Sequence, residues 1–144
     1  MLQLKIERQF NAVPEKVFDA FTHPDEMRVW WTDETKFNID LRKGGRWTIT
    51  RKEGNTTYVM TGKYLEILKP FRLKYTIAMP HFSPNYDTIS IEIKPDGRNG
   101  SIMKFVQEGK DIDSELKELP KGAISESEKG WQQGFDLMEK AWNK

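Results

Sequence analysis

The chain has 144 residues, with 23 basic and 22 acidic side chains, no cysteine, five Trp, eight Phe and four Tyr. That length suits one domain over 1–144, burying roughly two-thirds of the surface its unfolded chain exposes. Nearly cancelling, scattered charge argues against nucleic acid or an anionic membrane as partner, and the absent thiols exclude disulfides, thiol nucleophiles and thiolate metal sites.

The opening residues MLQLKIERQF carry Lys5, Glu7 and Arg8 and lack the apolar run of a signal peptide. No apolar stretch approaches the roughly 18 residues of a membrane span. With cysteine also absent, the expectation is a cytoplasmic protein.

Leu2, Leu4 and Ile6 alternate with Gln3, Lys5 and Glu7, the pattern of a half-buried strand that Phe10 closes. In NAVPEKVFDAF, Pro14 suits the first helical position, Glu15 the first turn, and Val17, Phe18 and Phe21 share a helical face. Pro24, Asp25 and Glu26 repeat the start signal, predicting two short helices over 14–22 and 24–30.

Phe37, Ile39 and Leu41 mark a strand over 35–41, and Lys43-Gly44-Gly45 a tight turn. Strands over 46–53, 56–68, 72–79, 87–94 and 101–108 follow, parted by turn residues such as Gly54-Asn55, Lys69-Pro70 and the run 95–100. No helical pattern separates them, so an antiparallel meander is expected instead of parallel βαβ units.

Period-two reading places Trp47 and Ile49 on one face, with Tyr58, Met60, Gly62 and Tyr64, then Leu73, Tyr75 and Ile77, then Ile89, Ile91 and Ile93, then Met103 and Phe105. Thr48, Thr50, Lys74, Thr76, Ser90, Glu92, Lys94 and Lys104 occupy the alternate, wet face. A sheet with one dry face needs a cover.

The segment GKDIDSELKELPKGA is a charged loop, or carries one turn of helix at Ser114 to Leu119. Beyond it, Trp131, Phe135, Met138 and Trp142 recur at i, i+4, i+7 and i+11, with Gly134, Leu137 and Ala141 beside the stripe. Ser125 and Glu128 fit a capping box, Glu126 suits the positive helix end, and Lys140 and Lys144 suit the negative end. This is the one long amphipathic element in the pattern, and the expected cover of the sheet. Gly130 and Gly134 within it signal either close packing on the sheet or room left for a ligand.

The order of elements is a strand, two short helices, a meander and a long last helix. It resembles the α+β helix-grip fold of the START-like (SRPBCC) superfamily, typified by the birch-pollen allergen. In that fold a curved antiparallel sheet of six to seven strands grips the final helix over a cavity. Ala12-x-Pro14-Glu15-x-Val17-Phe18-x-Ala20-Phe21, His23-Pro24-Asp25-Glu26 and Trp30-Trp31 resemble one branch, named for the activator of the heat-shock-protein-90 ATPase. So do Arg42-x-Gly44-Gly45-Arg46-Trp47, Gly62-x-Tyr64-x-Glu66-Ile67, Pro70-x-Arg72-Leu73-x-Tyr75 and Gly130-Trp131. Gln107 stands where members often carry His, and the linker after Gly109 is unusually charged. The superfamily holds lipid and hormone carriers, cyclases and chaperone activators, so the resemblance implies an architecture more sharply than an activity.

Catalytic and metal signals are sparse. His23 precedes Pro24 at a helix start, and His81 lies in the loop PHFSPNY; two His without a carboxylate motif make no metal site. No G-x-S-x-G, H-E-x-x-H or P-loop pattern occurs, and Gly44-Gly45 reads as a hairpin turn. Asp87 shares parity with Ile89 and Ile91, so it lies either at a solvated strand start or inward as a lone acid able to move protons. Two consecutive Trp point to opposite sides of a regular element. If Trp30 closes a helix face, Trp31 lines a cavity mouth or meets a partner; the roles open to the pair are core or cavity-wall packing, ligand contact and partner contact.

The expected function is binding of a hydrophobic small molecule between sheet and last helix, with no cofactor, metal or catalytic residue. The expected cavity lining is Trp31, Trp47, Tyr58, Met60, Tyr75 and Ile77, then Asp87, Ile89, Met103 and Phe105, and Trp131, Phe135 and Met138 from the helix. The alternatives are a chaperone-linked or regulatory interaction domain with a protein partner or a second copy, and a cyclase- or hydrolase-type enzyme using Asp87, His81 or a Tyr.

Overall fold

The computed structural model of the chain describes residues 1–31 and 34–143. Strand β1 (Leu4–Phe10) leads into helices α1 (Pro14–Thr22) and α2 (Pro24–Met27). Six strands follow: β2 (Lys36–Ile39), β3 (Arg46–Glu53), β4 (Thr56–Leu68), β5 (Arg72–Ile77), β6 (Asp87–Pro95) and β7 (Ser101–Glu108). Helices α3 (Lys110–Lys117) and α4 (Glu126–Trp142) complete the chain. All seven strands join one antiparallel sheet in the order β1-β7-β6-β5-β4-β3-β2. The meander is thus observed, and β1 is added to it beside β7, with Leu4 opposite Gln107.

The dry face is the alternating one. Ile89, Ile91, Ile93, Met103 and Phe105 are sealed from solvent, as are Leu73 and Phe10. Hydrophobic burial of this kind contributes about 25 cal/mol per Å² and drives the sheet to seek a cover. The cover has two parts. Phe135 and Met138 of α4 are buried, while Trp131 and Trp142 pack at its ends. Val17 and Phe18 of α1 are equally buried, and α1 lies over β6. The expectation that the last helix alone covers the sheet is therefore too narrow, because the α1 face supplies half of the lid.

Local chemistry sets the element ends. Pro14 and Pro24 stand at the first helical positions, where a missing N–H costs nothing. Ser125 Oγ accepts from Glu128 N at 3.1 Å, the hydroxyl half of the expected capping box. Glu126 and Lys140 sit at the ends their charges favour; Lys144 lies outside the described residues.

Four boundaries differ from the sequence reading. Helix α2 stops at Met27, since Val29 N and Trp30 N bond back three residues to Glu26 O and Met27 O and tighten the chain into turns. Strand β2 is only Lys36–Ile39, because Asp40 N already pairs with Arg46 O at the turn. Strand β5 ends at Ile77, with Ala78 held to Thr61 by an isolated bridge. The linker forms a full helix, α3, four residues earlier than the turn expected at Ser114.

One irregularity aims side chains. The register between β4 and β5 shifts between Tyr64 and Glu66. The extra residue, Leu65, reverses side-chain parity beyond it. Tyr64 remains on the dry face, Ile67 joins the core, and Leu68 turns out to solvent.

Candidate functional site

Where α2 runs out, the turn carrying Trp30 and Trp31 folds under the wide end of the sheet. There dry-face residues of β3, β4 and β5 look across to Trp131 near the start of α4. The resulting cleft is lined by Phe21, Met27, Trp30 and Trp31 from the helical side. Ile39, Trp47, Ile49, Met60, Tyr64, Tyr75 and Ile77 line it from the sheet, and Trp131 from α4. Its free space is about 30 Å³, room for little more than a water molecule.

Six of the expected lining residues meet here: Trp31, Trp47, Met60, Tyr75, Ile77 and Trp131. Others lie elsewhere. Ile89, Met103, Phe105, Phe135 and Met138 are packed into the core without facing the free space. Tyr58 lies near the far end of β4, stacked on Phe82 and under Arg51. Ile49 and Tyr64 were signalled by their shared parity with Trp47 and Met60. Phe21, Met27, Trp30 and Ile39 come from segments whose meeting no local pattern encodes.

The paired tryptophans depart from expectation. Their rings do not diverge: the centroids are 5.2 Å apart at 48° and both line the cleft. The turns after Met27 remove the regular geometry that would have separated them. Trp30 is fixed by Nε1 donating to Ala20 O at 2.7 Å, and its ring lies on Gly134, where a Cβ would overlap Cε3. Trp131 packs on Phe105 at 4.7 Å and donates from Nε1 to Gln107 Oε1 at 2.9 Å.

Asp87 is buried, at 3% exposure, and stands behind the cleft wall. Its Oδ2 accepts from Gln107 Nε2 and from Ile112 N, both at 3.0 Å, and its Oδ1 accepts from Asp111 N at 3.2 Å. It is neither a solvated strand start nor a group facing the free space. It caps α3 from a neighbouring strand, with Gln107 relaying from Trp131 to it. Gly109 permits the approach: its φ is 141° and a Cβ there would overlap Asp87 Oδ1. His81 is exposed in its loop, and His23 pairs through Nδ1 with Asp19 at 3.1 Å.

Among the described residues no ionised side chain lines the cleft. Burial raises the Tyr64 phenol, with Asp40 adding to the shift, and burial raises Tyr75, with Tyr64 adding to it. Both therefore stay protonated at neutral pH. The indole Nε1 atoms of Trp31 and Trp47 are buried without a hydrogen-bond partner. Among the described residues no group of three or more His, Asp or Glu could hold a metal ion, and no helix is long and apolar enough to cross a membrane. A second depression, about 290 Å³, lies outside between β1 and the end of α4. Its Arg8 is already paired with Asp136 at 2.9 Å and Glu139 at 3.3 Å.

A seven-stranded antiparallel sheet closed by a C-terminal helix, with short helices after the first strand, defines a START-like helix-grip protein. The chain belongs to the activator of Hsp90 ATPase homolog 1-like protein family, whose model matches residues 11–143. Among solved structures it is similar to a Chromobacterium violaceum protein, with TM-score 0.78 and 23% identity, covering 99% of this chain and 97% of that one. It is similar to a Staphylococcus aureus protein of unknown function, with TM-score 0.74 and 22% identity, covering 99% and 96%. An HSP90 activator from Plasmodium falciparum gives TM-score 0.67 and 17% identity, covering 98% and 92%. Identities this low show a shared fold alone. No curated protein matches the chain.

Proposed function

We propose that the chain binds a small hydrophobic molecule in the cleft between sheet and helices, as one cytoplasmic domain without cofactor. The observation that carries this reading is the cleft's composition: aromatic and aliphatic walls, no ionised group among the described residues, and a few polar hydrogens without partners. Ligand sites combine those features. The free space of about 30 Å³ is far below the roughly 300 Å³ of an ordinary ligand pocket. Binding therefore displaces a ring, and Trp31 is half-buried, with its indole N–H unpartnered. Four of the five Trp line the cleft, so their emission reports on occupancy. Titration with a panel of lipids, isoprenoids and small aromatics is expected to give a saturable change for at least one class. No saturable response from any class rejects the reading.

A second reading is a chaperone-linked interaction domain. It is favoured by the family description together with the small cleft, and by exposed Leu68 and Phe71 flanking the β4–β5 turn. An ATPase assay with the cognate chaperone decides it: no stimulation at micromolar protein removes it.

A further inference from the structure

Four indoles and two phenols line the cleft, and the protein treats them unequally. Trp30 and Trp131 have their N–H groups matched, one to Ala20 O and one to Gln107 Oε1. Trp31 and Trp47 do not: both Nε1 atoms are shut away from solvent with no acceptor. The hydroxyls of Tyr64 and Tyr75 bond to no other described residue either, but neither is shut away from solvent as the two indole N–H groups are. A buried donor without an acceptor forfeits the hydration it had in the unfolded chain. The site thus presents two buried indole donors without an acceptor, and among the described lining side chains only the two phenols bring an acceptor oxygen.

From this surplus we infer that the occupant is an uncharged molecule of about indole size carrying an acceptor oxygen, of the ketone, aldehyde or ester class. The inference rests on the binding reading above and specifies its chemistry. Trp31 Nε1 and the Tyr75 hydroxyl are the donors assigned to that oxygen. Trp47 Nε1 lies tight against Gly62, near where a Cβ would stand, and is less free to turn. Tyr64 stands behind Tyr75, with ring centroids 6.3 Å apart. An anion is disfavoured because no Lys or Arg among the described residues lines the cleft to offset its desolvation. A cation is disfavoured because the open N–H and O–H dipoles present their positive ends to it, although the rings alone would attract one. Burial keeps both phenols protonated, so the donors persist across the neutral range.

The test uses three probes of one shape and one larger cation, measured by calorimetry on the full chain: acetophenone, its isosteric hydrocarbon α-methylstyrene, benzoate and benzyltrimethylammonium. Acetophenone is expected to bind about 5-fold tighter than α-methylstyrene, the value of one hydrogen bond of about 1 kcal/mol. That preference is expected to shrink towards parity in Trp31→Phe and in Tyr75→Phe. Saturable binding of ketone and hydrocarbon with equal affinity overturns the inference and leaves the binding reading standing. Tighter binding of benzoate or the ammonium also overturns it. Failure of all four to bind overturns it together with the binding reading for aromatics of this size.

Discussion

Gly130 and Gly134 stand one turn apart on α4 in opposite circumstances. A Cβ at Gly130 would meet nothing within 4 Å, whereas one at Gly134 would collide with the ring of Trp30. Gly130→Ala is therefore expected to stabilise by about 1 kcal/mol, the helix-propensity difference between the two residues. Gly134→Ala is expected to destabilise by about 1–3 kcal/mol through overpacking, despite the same gain in propensity. Urea unfolding of both variants checks the pair, and a stabilised Gly134→Ala would mean that Trp30 does not rest there. In the sequence the two glycines look alike. Only the segment around Trp30, about a hundred residues earlier, distinguishes them, and no periodicity reports a contact of that separation.

At the scale of elements, α4 and α3 show what a sequence displays and what it hides. Helix α4 carries its own signals, with Ser125 as cap, a four-residue aromatic stripe and charges suited to both ends. Helix α3 has only Ile112 and Leu116 as an apolar pair, and Gly109 at its N-cap position makes no side-chain bond. Its cap, Asp87, comes from β6, so local signals alone point to a loop or to one turn of helix. The carboxylate there faces donors alone: two amides of α3 and the Gln107 amide. Asp87→Asn must turn an NH₂ towards one of them. It is expected to cost about 1–3 kcal/mol, the penalty of an unmatched buried polar group. Denaturant midpoints measure this, and an unchanged midpoint would mean that the cap contributes nothing. The paired tryptophans were misread for a related reason: alternation applies within an element, and theirs ends at Met27.

For the whole molecule, the meander and the dry face were legible because short strands with period-two patterning repeat the same signal many times. The cleft was half legible: its sheet side follows parity, while its helical side depends on how α1 and α2 fold back. Two carboxylates tie the chain's distant parts together. The Lys117 hydrogen bond, followed by the Leu2 amide, holds the Asp113 carboxyl below its ordinary value. The Gln9 side chain, followed by the Arg98 amide, does the same for Asp96. A pKa lowered by folding stabilises above the unfolded value of about 3.9 and is lost as pH falls through the native value. Melting temperature is therefore expected to drop on acidification below about pH 4. The Asp96→Asn, Asp113→Asn double variant should melt lower than the parent at neutral pH and show a shallower acid drop. Parallel acid profiles for the two proteins would remove these groups as the cause.

The place of β1 in the sheet has a consequence for how the chain reaches this structure. Strands β3 to β6 each pair with a sequence neighbour and can form as they leave the ribosome. Strand β1 pairs with β7 alone, and Phe10 meets Phe135 and Trp142 of α4. Strand β1 thus waits, its Leu4, Ile6 and Phe10 uncovered, until β7 and α4 have emerged. Closure of that long loop is the slow, non-local step of folding. A chain stalled before Ser101 holds an unpaired apolar strand, the state in which nascent chains are most exposed to aggregation.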